Sequence, residues 1–429
     1  MRRFQLFVFA CVLLIPVAGR ALTLEEGLKI VADTGRDVKI ARSDEEAARS
    51  AVSLARSPWL PQVTIYGNET WLQYQPTARF NTLVAPTAQN QFLTYGVTAN
   101  QLLYDFGKTS SSIDAANYNL KAREIATQRA RNQSALEFIL AYYDLLEADK
   151  LLEVAAEEVK QYEAHKHDAE VRYSAGVVTK NEVLQADVTL ADSRQRYLTS
   201  DNLRSLRASR INSLLLRPLN DAVQPEEVKT SPSAGITLEA AWTAAEAESP
   251  EIQVLDAGIR AKEEGINSTR AEYFPTFYLS GGYQYQENEF QVYPRNWSLI
   301  AGVNFNLFEG GATSARVHIA KSELASLKTT RDKIVDAVRL DVKGAYLNLQ
   351  SSAQQIEVTK TAVAQAEENL RLQRLRYQEG VGTALEVLDA VTLLSASKSN
   401  TWKALYGFER AEAGLLYSMG RDLMSMYGK

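Results

Sequence analysis

Residues 172–186 read RYSAGVVTKNEVLQA, and residues 376–390 read RYQEGVGTALEVLDA. Both stretches fit the pattern R-Y-x-x-G-x-x-T-x-x-E-V-L-x-A, with 204 positions between equivalent residues. Good helix formers flank each glycine, so each stretch interrupts what would otherwise be one long helix. Glycine permits a tight reversal of the chain. The two stretches therefore predict two helical hairpins and a duplicated fold.

Long helical arms are expected on both sides of each reversal. Residues 87–217 and 295–429 contain no proline and are rich in alanine, leucine, glutamate, glutamine, lysine and arginine. Apolar residues recur in them at three- and four-residue spacing, which is typical of helices. In the first half this pattern predicts a long helix over 108–173 and a shorter one over 180–217. A further helix is expected over 23–57.

Two segments, residues 59–104 and 273–308, differ in composition. They contain 19 of the 38 aromatic residues and only five charged ones, and their apolar residues alternate with small or polar ones. A period of two predicts β-hairpins at about 62–103 and 276–307. Strands of about ten residues with aromatic residues near their ends are typical of a transmembrane β-barrel. A soluble antiparallel sheet with one wet face has the same alternation.

The first residues have the pattern of a secretory signal. Arg2 and Arg3 precede an apolar core that is followed by small residues, and we expect cleavage after Ala21. The only cysteine, Cys11, lies within this signal, so we expect the mature chain to have no disulfide or thiol chemistry. A signal peptide and the absence of lysine from the strand segments favour the membrane interpretation of those strands.

The chain is acidic, with 47 lysines and arginines against 52 acids and a net charge of −5. The expected signal carries three arginines and no acid, so its removal makes the chain more acidic. This balance argues against nucleic acid as a partner. No later apolar run approaches the roughly 18 residues of a membrane-spanning helix. If the protein enters a membrane, it must do so as strands.

The duplication extends over the whole mature chain. LTLE begins at Leu22 and ITLE at Ile236. We therefore expect a first repeat over 22–217, a proline-containing connecting segment over 218–235, and a second repeat over 236–429. Each repeat is expected to consist of a helix, a β-hairpin, a long helix and a short helix.

Two hairpins supply four strands, and four strands are too few to close a barrel. An open sheet edge cannot face lipid, because its backbone groups would remain unpaired. The chain is therefore expected to oligomerise. Two copies would give eight strands filled by side chains, and three would give twelve strands with room for an aqueous lumen.

The duplicated plan, the glycine turns and the strand-to-helix junctions LLYDFGK (102–108) and NLFEGGA (306–312) are similar to those of the TolC family of outer-membrane efflux and secretion channels. The resemblance covers essentially all of the mature chain. It implies an α+β membrane protein that forms a homotrimer. Three copies would build a 12-stranded transmembrane β-barrel in the outer membrane, and their long antiparallel helical hairpins would build an α-barrel in the periplasm.

The resemblance also implies a function and partners. Channels of this family export small molecules, such as drugs and toxic compounds, or secreted proteins. They work in a tripartite pump with a periplasmic adaptor protein and an inner-membrane transporter. The glycine turns lie farthest along the chain from the strands, so they are expected at the periplasmic tip.

Site residues at this tip follow from the resemblance. The adaptor would dock on Gly176, Val177, Thr179, Gly380, Gly382 and Thr383. A gate would consist of Glu386 and Asp389, whose carboxylates would ring the entrance in a trimer and favour cations. A hydrogen-bonded latch would join Tyr377 to Glu182. A latch arginine of the family is replaced by Gly382 here, so that part of the latch is expected to differ.

The spacing of the acids also supports a purely structural interpretation. Thr179 and Thr383 restart the helices, and Glu182 and Glu386 follow three residues later, which is the spacing of a capping box. Asp389 is not placed to cap a helix, and the first half has no acid at the equivalent position. Asp389 is therefore the acid that local structure does not explain.

Sites for other chemistry are not expected. Phe106-Gly-Lys-Thr lies at a strand-to-helix junction, but a phosphate-binding loop needs a glycine where Leu102 stands. His165 and His167 point to different sides of a helix, and His318 stands alone, so we expect no metal site. No nucleophile and base suggest themselves as a pair, and we expect neither an enzyme nor a cofactor.

Two other classes of protein compete with the channel. A soluble coiled-coil protein, such as a periplasmic adaptor or a surface filament, would need heptads but no aromatic-rich, lysine-free strands. A periplasmic enzyme would need a catalytic site, for which the sequence offers no candidate.

Overall fold

The computed structural model describes residues 21–228 and 235–428. The expected signal lies outside the described residues except for Ala21, as does part of the expected connecting segment. The described residues combine helices with antiparallel strands, which confirms the predicted α+β class. They divide into two compact units: a helix unit (21–38, 131–245 and 341–428, without 229–234) and a sheet unit (39–130 and 246–340).

The helices are α1 (Leu24–Thr34), α2 (Arg36–Arg56), α3 (Lys108–Ser174), α4 (Lys180–Leu214), α5 (Leu238–Glu248), α6 (Pro250–Ala271), α7 (Ala312–Gln378), α8 (Ala384–Ser418) and α9 (Leu423–Tyr427). The strands are β1 (Gln62–Trp71), β2 (Thr77–Phe80), β3 (Leu83–Pro86), β4 (Gln91–Tyr104), β5 (Thr276–Gln286) and β6 (Arg295–Asn304). The long helices α3 and α7 have 67 residues each, and α4 and α8 have 35 each.

The sheet unit is built around one four-stranded antiparallel sheet in the order β1-β4-β5-β6. β4 and β5 pair in the middle, so strands from both halves of the sequence form a single sheet. Within it β1 and β6 are the edge strands. A separate pair, β2 and β3, lies between β1 and β4 in the sequence and was not predicted.

The two faces of the sheet differ in polarity. Directly paired residues share a face, and Ile65, Val97, Tyr283 and Trp297 form one such row across all four strands. Ile65 is 82% exposed and Trp297 is 74% exposed in the single chain. The neighbouring row on the opposite face is small and polar: it consists of Thr64, Thr98, Gly282 and Ser298. One face of the sheet is thus apolar and uncovered, and the other is polar.

Each of the two strand-to-helix junctions is a tight turn with an acid that bonds to a threonine at the start of the helix. Before α3, Asp105 accepts hydrogen bonds from the backbone N–H of Thr109 (2.8 Å) and from its hydroxyl (2.5 Å). Phe106 and Gly107 have positive φ values of 53° and 89°. Before α7, Glu309 accepts a hydrogen bond from the hydroxyl of Thr313 at 3.2 Å. The sequences around DFG and EGG therefore end a strand segment and begin a helix.

The helix unit has a core of aromatic and aliphatic side chains from α1, α3, α4, α8 and α9. Tyr142 lies at its centre, and its single hydroxyl proton is shared between the carbonyl oxygens of Leu22 (2.9 Å) and Glu226 (2.8 Å). The backbone N–H of Leu22 also donates to the carbonyl of Gln224 at 2.8 Å. One buried hydroxyl therefore fastens the residues before α1 to the segment that follows α4.

The expected single helix over 23–57 is wrong, because the chain breaks at Gly35 into α1 and α2. Gly35 has an extended conformation, and its N–H bonds to the carbonyl of Val31 at 3.0 Å. A Cβ at this position would lie 2.6 Å from the same carbonyl oxygen. The break is consistent with the strong preference for glycine at helix C-termini.

The predicted end of the fourth helix at residue 217 is also too late. α4 ends at Leu214, and Leu216 has a φ of 58°. The N–H of Arg217 then bonds to the carbonyl of Asn212 at 2.8 Å. The side-chain amide of Asn212 donates to the carbonyls of Leu219 and Asp221 and holds the chain that leaves the helix.

Within residues 21–228 and 235–428, no helix combines the length and the apolar character that a membrane-spanning helix requires.

We predict that Gly27→Ala destabilises the helix unit. A Cβ at Gly27 would lie 1.9 Å from Cζ of Phe138 in the buried core, and overpacking of this kind costs about 1–3 kcal/mol. Gly344→Ala is the matched control, because an added Cβ there has open space within α7, and alanine stabilises a helix interior by about 0.5–1 kcal/mol. Urea unfolding of the purified protein measures both. Equal stability of the two variants would show that the contact with Phe138 is not a constraint.

Candidate functional site

The two predicted reversals are built in the same way. In the turn between α3 and α4, Gly176 has a φ of 74°, and the N–H of Val177 bonds to the carbonyl of Arg172 at 2.9 Å. In the turn between α7 and α8, Gly380 has a φ of 76°, and the following residue makes the equivalent bond to Arg376 at 3.0 Å. Glycine is favoured at both positions because other residues are strained at such φ values.

The helices that leave the two turns are capped differently. At α8, the hydroxyl of Thr383 accepts from the N–H of Glu386 (3.3 Å), and the carboxylate of Glu386 accepts from the N–H of Thr383 (2.9 Å). This is a complete capping box. At α4, the side chain of Thr179 makes no capping hydrogen bond. The predicted capping box of Thr179 and Glu182 is therefore wrong, because the carboxylate of Glu182 bonds elsewhere.

Glu182 instead bonds to the second half of the chain. Its carboxylate accepts a hydrogen bond from the hydroxyl of Tyr377 at 3.4 Å, which joins α4 to α7. Tyr377 is only 6% exposed, whereas its equivalent in the first turn, Tyr173, is 46% exposed. Burial, followed by the negative charge of Glu182, raises the pKa of the Tyr377 hydroxyl. The tyrosine is therefore neutral and acts as the donor.

Two further side chains contact Tyr377 and were not predicted as site residues. The guanidinium of Arg172 lies 4.5 Å from the centre of the tyrosine ring, within cation–π range, and also donates to the carbonyl of Gln378 at 3.1 Å. The His165 ring centre lies 5.5 Å from that of Tyr377. Arg172 and His165 both belong to α3. Only the assembled helices show their role, because each is more than 200 positions away from the tyrosine.

The two predicted gate acids, Glu386 and Asp389, differ in their hydrogen bonds and ion pairs. Glu386 is held by its capping box, and Arg376 lies 3.6 Å from its carboxylate. The hydrogen bond from Thr383, with a smaller contribution from Arg376, lowers the pKa of Glu386. Its contribution to the cap is therefore present at neutral pH and is lost as the pH falls through the lowered pKa. Asp389 is exposed and has no hydrogen bond or ion pair with the residues that the structure describes.

A groove of about 380 Å³ lies between the two turns. Among the predicted residues, it is lined by Val177, Glu182, Tyr377, Gly380, Gly382 and Thr383. The structure thus brings both latch residues together with four of the predicted docking residues. Gly176 and Thr179 belong to the turn but do not line the groove, and neither do Glu386 and Asp389. A Cβ at Gly382 would lie 3.0 Å from the Cβ of Arg376, so a larger side chain there requires the turn to shift.

The histidines do not converge on a metal site. His165 is buried and His167 is exposed on the same helix, and His318 is exposed in the sheet unit. Within the described part of the chain, no group of three or more histidine, cysteine, aspartate or glutamate side chains is arranged to hold a metal ion.

The uncovered apolar sheet face, the long helices and the two glycine turns are the features that the resemblance to outer-membrane channels implied. The chain belongs to the outer membrane efflux protein family, whose model matches residues 31–215 and 242–421. This membership confirms the resemblance inferred from the sequence and the outer-membrane localisation. It does not favour the soluble coiled-coil alternative. The family consists of channel proteins and not of enzymes.

Individual relatives are distant in sequence and similar over most of their length. Nodulation protein T of Rhizobium leguminosarum bv. trifolii is 23% identical over 398 residues, which cover 90% of this chain and 82% of that protein. Cation efflux system protein CusC of Escherichia coli K12 is 22% identical over 391 residues, which cover 90% of this chain and 83% of that protein.

Solved structures share the fold. The crystal structure of the outer membrane protein VceC from Vibrio cholerae superposes with a TM-score of 0.80 at 18% identity, covering 93% of this chain and 96% of that one. A crystal structure of CusC gives a TM-score of 0.80 at 20% identity, covering 93% of this chain and 92% of that one.

The asymmetric capping of the two turns predicts unequal effects of the same substitution. Thr383→Val removes the hydroxyl that caps α8 and should cost about 1 kcal/mol locally, seen as faster amide exchange in the first turn of that helix. Thr179→Val is the control, because the Thr179 side chain makes no capping bond. Hydrogen exchange of the two first turns measures the difference. Equal acceleration in both helices would contradict the assignment.

Proposed function

We propose that three copies of this chain form an export channel in the outer membrane. The observation that carries this proposal is the four-stranded sheet, which has an apolar face exposed in the single chain and two edge strands, β1 and β6. Pairing of β1 in one copy with β6 in the next would satisfy both edges and close a 12-stranded barrel. The apolar row through Ile65 and Trp297 would then face lipid, and the polar row through Thr64 and Ser298 would face the lumen.

The proposed channel has two repeats, residues 22–217 and 236–429, joined by 218–235. The same family model matches a segment in each half. The equal lengths of α3 and α7, and of α4 and α8, also support a duplication. In the trimer, these helices would form the periplasmic α-barrel.

The proposed channel exports small molecules, including drugs and toxic compounds, or secreted proteins. It works in a tripartite pump with a periplasmic adaptor and an inner-membrane transporter. Family membership supports this role, and so does similarity to CusC, which is named as part of a cation efflux system. The proposal includes no nucleic acid as a partner, since the chain is acidic.

The proposed gate lies at the glycine turns. Tyr377 and Glu182 form the latch, because their hydrogen bond ties α7 to α4 and both side chains line the same groove. Asp389 supplies the charge that lines the entrance, since it is exposed and unpaired within the described chain, and Glu386 adds to it from the capping box. In a trimer each acid would recur three times around the axis, and the repeated carboxylates would attract cations.

Single-channel recording in planar bilayers tests the channel and its gate together. The wild type should form water-filled pores that prefer cations. Asp389→Asn combined with Glu386→Gln should reduce cation selectivity, because it removes two charges from each copy. Tyr377→Phe should instead raise resting conductance and preserve selectivity, because it removes only the latch hydroxyl.

Tyr173→Phe is the matched control for the latch, since Tyr173 is the exposed equivalent in the first turn. It should behave as the wild type. Absence of any pore would overturn the proposed function. Unchanged selectivity in the double variant would remove the two acids from the entrance, and equal effects of the two tyrosine variants would remove Tyr377 from the gate.

We also propose that the groove between the turns receives the adaptor. It is lined by small and apolar residues beside Arg172 and Glu182, so it can accept an apolar side chain and pair with charges. Gly380→Leu should block export and adaptor crosslinking, and the variant should still assemble and insert as a pore, because the turn lies apart from the strands in sequence. Gly344→Leu, at an open position in α7, should leave both unchanged. Normal crosslinking of the Gly380 variant would place docking elsewhere.

A further inference from the structure

The side chain of His165 is buried but incompletely bonded. It is 5% exposed, and its Nε2 atom has no hydrogen-bond partner among the residues that the structure describes. Buried polar atoms are nearly always paired, so an unpaired one calls for a physical reason. His165 lies in the helix unit against Tyr377, the proposed latch residue, with 5.5 Å between ring centres. A titratable ring thus supports the tyrosine whose hydroxyl reaches Glu182.

The surroundings of His165 disfavour its charged form. Burial lowers the pKa of the imidazole, the positive charge of Arg374 on α7 lowers it further, and Asp168 on its own helix opposes both. Arg172 on α3 and Glu182 on α4 both contact Tyr377, and Asp168 also acts on its hydroxyl. On α8, Asp389 acts on Tyr162, one turn before the histidine on α3. Of these, the acid acting directly on the histidine is Asp168, which is exposed.

A proton on His165 is therefore disfavoured where the ring now lies. The imidazolium has two N–H donors, and Nε2 has no acceptor within the described residues. To gain an acceptor for its second N–H, the protonated ring would have to leave its packed position beside Tyr377 and turn towards solvent. The hydrogen bond from Tyr377 to Glu182 is 3.4 Å long, beyond the usual range for a hydroxyl donor. A bond of this length is easily lost when the ring behind it moves.

We propose that His165 is a positioning residue for Tyr377: the neutral ring holds the tyrosine against Glu182, and protonation of the ring releases it. This inference rests on the proposed gate function of Tyr377. It adds that an acidic periplasm opens the latch. Because the packed form disfavours the proton, the latched state is stable above the ordinary histidine pKa of about 6.5 and weakens as the pH falls below it.

Bilayer recordings between pH 7.5 and 5.5 test the proposal. The resting open probability of the wild type should rise on acidification, by up to about tenfold per pH unit for one titrating group. His165→Phe keeps an aromatic ring against Tyr377 without a titratable nitrogen, so its open probability should stay low and flat. His167→Phe, at an exposed position two residues away, should retain the wild-type profile. If His165→Phe folds poorly, His165→Leu should likewise lose the pH dependence.

A second measurement does not require a conducting pore. The chain has three histidines and 20 tyrosines, and the fluorotyrosine ¹⁹F resonance that disappears in Tyr377→Phe reports on the latch. It should shift with pH at the same midpoint as the His165 ring. It should lose this shift in His165→Phe.

These outcomes separate the two proposals. Absence of any pore overturns the proposed function, and the ¹⁹F titration then decides the role of His165. Three results would overturn the positioning role. The wild type could fail to open on acidification, or His165→Phe could keep the wild-type profile. The Tyr377 resonance could also fail to shift when His165 titrates.

Discussion

Backbone hydrogen bonding at the edges of one small sheet is the constraint on which the proposed architecture depends. The sheet has four strands, with β1 and β6 at its edges. In water an unpaired edge can bond to solvent, but in lipid each unpaired backbone group costs several kcal/mol. Since the sheet also has an apolar face, its edges must find partners in the same environment. In the proposed channel another copy of the chain would supply them, and assembly would then be a requirement of folding in the membrane.

The helix unit contains two turns of similar sequence and backbone conformation, and the two turns differ in their contacts. Thr383 and Glu386 use the shared spacing for a capping box. In the other turn the Thr179 side chain makes no capping hydrogen bond, and the carboxylate of Glu182 accepts a hydrogen bond from Tyr377. The equivalent tyrosine of the first turn remains exposed. A local motif that occurs twice therefore supplies the turn twice and the contact between Tyr377 and Glu182 once. In the proposed gate this contact joins the two halves, so it would respond to a relative movement of α4 and α7.

Local periodicity was sufficient to predict the main elements. The proline-free runs and the two alternating segments predicted the long helices and the principal strands, because both patterns repeat over many residues. Breaks and short strands that depend on a few residues were harder to predict from the sequence. The break at Gly35 was missed because a helix-compatible pattern continues on both sides of it, and the small β2–β3 pair was missed because its strands have only four residues each.

The site was predicted in part, and for a physical reason. Tyr377 and Glu182 were paired through family resemblance, whereas Arg172 and His165 were not assigned to the site. Their roles depend on which face of α3 packs against α7, which no local pattern specifies. The wrong capping assignment for Thr179 has the same origin: a carboxylate at capping distance in sequence was bonded to a tyrosine 195 positions away.

Disulfide trapping across the sheet edges tests the central claim most directly, since the chain after the expected signal has no cysteine. Thr64→Cys on β1 would be combined in turn with Ser298→Cys, Ile300→Cys and Gly302→Cys on β6, which share one face of the strand. At least one pair should yield a covalent trimer in native outer membranes. Thr64→Cys with Thr98→Cys, which are paired within one chain, should yield only monomer. Dimers as the largest product, or no interchain product from any pair while the control disulfide forms, would contradict a barrel closed by three copies.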